Sequence, residues 1–188
     1  MMQSQNANIA AYDEHIVVDE TRLESVKEFR YLGSFLAGDC SLDREINQRI
    51  GKAASSFGGL RRRVFDNRNI KLATKMSVYS AVCLSTLLYG AKTWTIYRRH
   101  ISKLEAYHIR CLQRILGLTW KDRIPHTEIL SRTGSVSLEC SLALRQLRWL
   151  GHVIRMPSGR LPKQIMYGEL TQENRSAGGQ LKRYKDVT

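Results

Sequence analysis

The chain has 188 residues, 43% hydrophobic and 25% charged, an ordinary globular mixture that can bury one core or two small ones. Its 30 Lys and Arg outweigh 17 Asp and Glu, for a net charge of +13. That excess repels itself unless a polyanion offsets it, and nucleic acid is the commonest such partner, with an anionic membrane surface as the rival. The longest apolar stretch, Ala81 to Ala91, is interrupted by Ser85, Thr86 and Gly90 and is too short to span a bilayer. The N-terminus has no apolar core of the kind a signal peptide needs. Cys40, Cys83, Cys111 and Cys140 are too far apart for the close spacing of a zinc site and form no disulfide framework. An intracellular protein, nuclear or cytoplasmic and not secreted, fits these features.

The charge is uneven. Residues 1–30 hold six acids (Asp13, Glu14, Asp19, Glu20, Glu24, Glu28) and three bases (Arg22, Lys27, Arg30), a net of −3 that leaves +16 on residues 31–188. Residues 1–14 read as a disordered start. Residues 15–38 read as a β-hairpin, with a strand at His15–Asp19 and a second over Val26–Phe35, both rich in β-branched or aromatic side chains. From Ser41, a candidate N-cap, the period changes. Leu42, Ile46, Ile50, Ala53, Phe57, Leu60 and Val64 recur at three and four residues, which predicts a helix over 42–65 with a weak point at Gly58-Gly59. Asp66–Asn69 is a polar break with Asn69 as the next cap. Ile70–Ala91 reads as a central helix that Gly90 ends or bends. A connector at Trp94–Arg99, a helix at Ser102–Leu116 stopped by Gly117, a short helix at 126–132 after Pro125, and a helix at Leu138–Met156 follow. Residues 158–188, with scattered glycines and few apolar residues, read as a loose basic tail. The fold class is therefore mainly α: a short N-terminal hairpin, a multi-helix bundle over 41–97, a helical segment over 98–157, and the tail.

Arg61, Arg62 and Arg63 suit either a helix C-terminus or a row of phosphates. Arg98 and Arg99 repeat the offer, as do Arg160, Lys163 and Lys182-Arg183-Lys185 in the tail. Arg145, Arg148 and Arg155 are spaced three and seven on one helix and so share a face. Trp94, Trp120, Trp149, Tyr31, Tyr97 and Tyr184 are candidates for stacking on bases, although packing is the simpler reading of Trp94 and Trp149. His100, His108, His126 and His152 have no second ligand at metal spacing and read as packing or capping residues. The sequence contains no Gly-Lys-Ser/Thr phosphate loop, no Gly-x-Ser-x-Gly, no His-Glu-x-x-His and no Asp-Asp pair for two Mg²⁺ ions. No catalytic residue, metal site, cofactor or small-molecule substrate is expected.

Six blocks in order resemble the C-terminal third of the reverse transcriptase of non-LTR (LINE-type) retrotransposons. They are Phe29-Arg-Tyr-Leu-Gly-Ser34; Glu45-Ile-Asn-Gln-Arg-Ile50 with Ala53 and Phe57; Leu87-Leu-Tyr-Gly-Ala-Lys-Thr-Trp94; Cys111-Leu-Gln-Arg-Ile-Leu-Gly117 with Trp120 and Asp122; Arg148-Trp-Leu-Gly-His-Val-Ile-Arg-Met156; and Gly178-Gly-Gln-Leu-Lys-Arg-Tyr-Lys-Asp186. The resemblance implies that 15–38 are the last palm strands, with Phe29, Tyr31, Leu32 and Gly33 as a primer-grip-like element. It implies a helical thumb over 41–97 and a post-thumb linker over 98–157. The family's Phe/Tyr-Ala-Asp-Asp site, which would bring Mg²⁺ in an intact polymerase, has no counterpart here, and Lys92 stands where an acid is usual.

Two readings follow. In the first, the chain is a nucleic-acid-binding fragment of an RNA-directed DNA polymerase without catalytic aspartates. It holds the backbone of RNA, DNA or an RNA–DNA hybrid through Arg61, Arg62, Arg63, Arg98, Arg99, Arg145, Arg148 and Arg155. In the second, it is a helical remnant or partner-docking piece with no activity of its own. Neither reading fixes an oligomeric state.

Overall fold

The computed structural model describes residues 17–18, 21–22, 26, 28–38 and 41–167. The expected disordered start, Cys40, the Gly178–Asp186 block and the tail cations Lys182, Arg183 and Lys185 lie outside the described residues, as does the side chain of Trp120.

The architecture is mainly α behind a small β element, as the periodicity predicts. Strands β1 (Val17–Val18) and β2 (Thr21–Arg22) pair antiparallel, and β3 (Glu28–Tyr31) pairs antiparallel with β4 (Ser34–Ala37), placing Phe29 opposite Leu36 and Tyr31 opposite Ser34. The single strand expected over Val26–Phe35 is instead a hairpin in itself. Leu32 (φ 46°) and Gly33 (φ 83°) both take the left-handed region, which a two-residue turn between twisted strands requires. Gly33 adopts it freely, whereas Leu32 stores strain of about 1–2 kcal/mol. A Leu at that position hides the turn from a propensity reading.

Helix α1 (Asp43–Leu60) passes directly into a π-helical turn, Arg61–Phe65, so the helical run matches the expected 42–65. Ser41 Oγ accepts from the Asp43 N–H at 3.3 Å, beside a first turn that carries Asp43 and Glu45. The central helix is shorter than expected. It starts at α2 (Leu72–Val78), widens into a π-helical turn at Tyr79–Leu84, and ends at α3 (Ser85–Leu87). Asn69 does not cap it. Its N–H donates to Asn67 Oδ1 at 2.9 Å, a local turn that absorbs the polar break before the helix begins. Gly90, at φ 77°, ends the run, and a 3₁₀ turn, Ala91–Thr93, follows.

Helix α4 (Arg98–Leu116) begins four residues before the expected Ser102, with Tyr97 at its N-cap and the Tyr97 N–H donating back to His100 Nδ1 at 3.3 Å. Helices α5 (His126–Thr133) and α6 (Leu138–Arg155) sit where the sequence places them, α6 capped by Ser137 Oγ. The tail opens with a short helix, α7 (Leu161–Tyr167), none of whose residues is buried. Lys163 Nζ donates to the carbonyls of Ile154 (2.9 Å) and Met156 (3.0 Å), satisfying the C-terminal end of α6.

One cluster of buried side chains runs from Ile46 through Phe65, Tyr79, Leu104 and Ile129 to Leu142, with α4 packed against α1, α2, α5 and α6. Cys83 and Cys111 are buried within it, and burial pushes the Cys83 thiol up to about 11, so it stays protonated and unreactive at neutral pH. Several buried polar groups are tied to specific partners. Lys75 Nζ donates to the Phe65 carbonyl at 2.7 Å, and Gln146 Nε2 donates to the Trp94 carbonyl at 2.9 Å, which fixes α6 against the chain entering α4. Tyr79 and His108 form another pair, with the hydroxyl 2.9 Å from Nδ1.

Candidate nucleic-acid interface

The hairpin turn is held by α1. Arg49 and Glu45, one helical turn apart and both almost fully buried, form an ion pair at 2.6 Å. Glu45 Oε2 accepts from the Phe35 N–H at 2.8 Å, and the Arg49 guanidinium donates to Gly33 O (2.9 Å) and Ser34 Oγ (2.8 Å). Each buried charge is thus matched by hydrogen bonds as well as by its opposite. Tyr89, on the loop after α3, donates its hydroxyl to Leu32 O at 3.3 Å, and the Arg49 guanidinium lies 4.5 Å above its ring. The outer side of the turn is open: Phe29, Tyr31 and Leu32 are all more than half exposed, and the Phe29 and Tyr31 rings stack at 6.4 Å.

Tyr89 also begins a groove. An open hollow of about 670 Å³ is lined by Tyr89, Gly90 and Lys92 on one side and by Arg145, Arg148, Trp149 and His152 of α6 on the other. An adjoining hollow of about 570 Å³ shares His152 and continues to Arg155 and Arg160. Gly90 belongs at the junction: a Cβ there would sit 3.5 Å from Ser34 Oγ and 3.8 Å from the Trp94 indole nitrogen. Arg145, Arg148 and Arg155 are exposed and have no acidic partner among the described residues. The hollow at Met76, Tyr79, His108 and Val136, about 440 Å³, has no cation in its lining.

The other predicted cations are placed elsewhere. Arg61, Arg62 and Arg63 lie exposed on the π-helical turn after α1, where Arg61 meets Asp66 at 3.1 Å. Arg114 grips the same carboxylate through two bonds of 3.1 Å, and with Arg61 holds it below the ordinary carboxylate range. Arg98 reaches Glu139 at 2.6 Å, and Arg99 reaches Asp43 at 2.8 Å. Three of the eight arginines, Arg61, Arg98 and Arg99, therefore already have a carboxylate partner, which competes with any phosphate for them.

The sequence reading missed Tyr89 and Lys92 as groove residues and Arg49 as a buried clamp. It assigned His152 to packing, and the structure places that side chain exposed on the groove wall. A run of charge is visible in sequence, whereas a wall supplied by a loop some fifty residues away is not. His100 and His108 are buried as expected, and His100 also lies 3.1 Å from Asp43.

No family model and no solved structure matches the chain. A transposon-derived protein of Caenorhabditis elegans is 26% identical over 144 residues, 74% of this chain and 51% of that protein. The chain is similar to a transposon-derived protein. It spans about half the length of the curated relative it matches. Among the described residues no three His, Cys, Asp or Glu side chains gather as metal ligands, and no helix is long and apolar enough to cross a membrane. The groove instead gathers exposed guanidinium forks, a side-chain type whose geometry matches phosphate oxygens.

Proposed function

We propose that the chain grips nucleic acid through its phosphate backbone, as the thumb-and-linker portion of a transposable-element reverse transcriptase. The observation that carries this reading is the groove of Arg145, Arg148 and Arg155, three cations with no acidic partner among the described residues, running into the hairpin turn at Tyr89. Leaving three guanidinium groups unpaired beside one another costs repulsion that a polyanion relieves. The resemblance supplies the context, and the transposon-derived relative agrees with it. In this reading the chain contributes grip and the template–primer position, and the chemistry belongs to a separate metal site.

The test is equilibrium binding of an RNA–DNA hybrid with a single-stranded extension across a salt series. Affinity falls steeply between low and physiological salt, with little dependence on base sequence. Undetectable or salt-independent binding contradicts the proposal. A second reading, docking to another protein through the hairpin, is favoured by one observation: all four residues of β3 are exposed, the rings of Phe29 and Tyr31 among them. A partner that binds equally well after Phe29 and Tyr31 are replaced by Ser would contradict it.

A further inference from the structure

We propose that the groove between Tyr89 and α6 takes one single strand of nucleic acid, and that Tyr89 is the platform on which a base stacks. The inference rests on the backbone-gripping function and adds which form of nucleic acid this groove accepts. Its size argues first. The hollow of about 670 Å³ falls in the range of small-ligand sites, roughly 300–1,000 Å³.

Its lining argues second. Lys92, Arg145 and Arg148 line the hollow together with Tyr89 and Trp149, the combination of cations and aromatic rings that lets a strand be held by phosphate and base at once. Tyr89 is 51% exposed as a residue, yet its ring is held by its hydroxyl bond to Leu32 O and by Arg49 over one face. A ring already immobilised loses little freedom when a base covers it. The cations then continue past His152 to Arg155. From Arg145 to Arg155 the helix rises about 15 Å, the length of about four nucleotides at a stacked rise of ~3.4 Å. The open turn at Phe29, Tyr31 and Leu32 stands at the Tyr89 end of this track, where the strand would leave a duplex.

The test uses the full chain and three probes at low salt: a 12-nucleotide single strand of mixed sequence, the corresponding blunt RNA–DNA hybrid, and phosphatidylserine vesicles. Tyr89→Leu is expected to weaken the single strand about tenfold. Tyr89→Phe, which keeps the ring beneath Arg49 but loses the hydroxyl bond, is expected to weaken it less than threefold. Arg145→Gln with Arg148→Gln, on an exposed helix face, should weaken the single strand by a larger factor and flatten its salt dependence. The hybrid should change less than twofold with Tyr89→Leu. If the hybrid binds and the single strand neither binds nor competes, the groove assignment is overturned and the backbone-gripping function stands. If Tyr89→Leu and Tyr89→Phe behave alike with full single-strand affinity, the stacking role is overturned. If vesicles bind and neither nucleic acid does, both inferences fall.

Discussion

The charges inside the helical body and those on the outer side of α6 follow opposite rules. Within the body, Glu45 meets Arg49 at 2.6 Å and the hairpin backbone besides, Lys75 meets a carbonyl, and His108 faces the Tyr79 hydroxyl. On α6, Arg145, Arg148 and Arg155 have no acidic partner among the described residues. The difference is solvation. A buried charge left unpaired costs several kcal/mol, so folding admits it only with its partners in place. An exposed guanidinium is hydrated, pairs for little gain, and stays available to a ligand. Local pairing therefore separates cations that build the fold from cations free to act.

The strongest way to break this contrast is to remove one partner inside. Glu45→Ala leaves the Arg49 guanidinium buried without its carboxylate and orphans the Phe35 N–H. The expected loss is about 3–5 kcal/mol, or roughly 10 °C in Tm. Calorimetry showing a change below 2 °C would mean that the pair does not hold the hairpin.

The next effect is a pH dependence. Burial lowers the His108 imidazole from 6.5 to about 4. Between those values the unfolded chain takes up a proton at this position and the folded chain does not. Stability is therefore intact above about 6.5 and lost as pH falls toward 4, by about 3 kcal/mol. Urea midpoints measured from pH 7 to 4 should fall less steeply in His108→Phe than in the parent, and parallel curves would contradict the buried neutral state.

The smallest effect lies between the two regions. Asp66 is exposed and shared by Arg61 and Arg114. Its carboxyl is held below the ordinary range, chiefly by Arg114, so the stability it adds is present at neutral pH and fades only in acid, as pH falls through that lowered value. Asp66→Asn should leave Tm nearly unchanged while freeing two guanidinium groups, and nucleic acid should then bind more tightly at low salt. Weaker binding would show that Asp66 positions those cations for the ligand.

Much of the fold was legible because its helices carry one apolar face each. The three- and four-residue spacing of Ile46, Ile50, Ala53 and Phe57 predicts α1, and Gly117 and Pro125 mark real boundaries. The turn at Leu32–Gly33 was not legible, since a leucine rarely takes positive φ and the contacts that hold it there come from Arg49, Lys52 and Tyr89, distant in sequence. The start of α4 was missed because Tyr97, at its N-cap, is not a conventional capping residue. Of the interface, the sequence shows Arg145, Arg148 and Arg155 on one side of a helix, because helical spacing is local. It does not show that Tyr89, Gly90 and Lys92 face them, nor that Arg61, Arg98 and Arg99 are already bound to acids, because both facts depend on long-range packing.

The most direct measurement compares two triple variants in binding an RNA–DNA hybrid that carries a 12-nucleotide single-stranded extension, across a salt series. One replaces Arg145, Arg148 and Arg155 with Gln, and the other replaces Arg61, Arg98 and Arg99. The groove variant should flatten the slope of log affinity against log salt by about 3, one for each lost phosphate contact, with little change in Tm. The ion-paired variant should flatten it less, since those guanidinium groups are partly occupied by Asp66, Glu139 and Asp43. A groove variant that binds with the parent's slope, while the ion-paired variant loses it, would contradict the placement of the interface on α6.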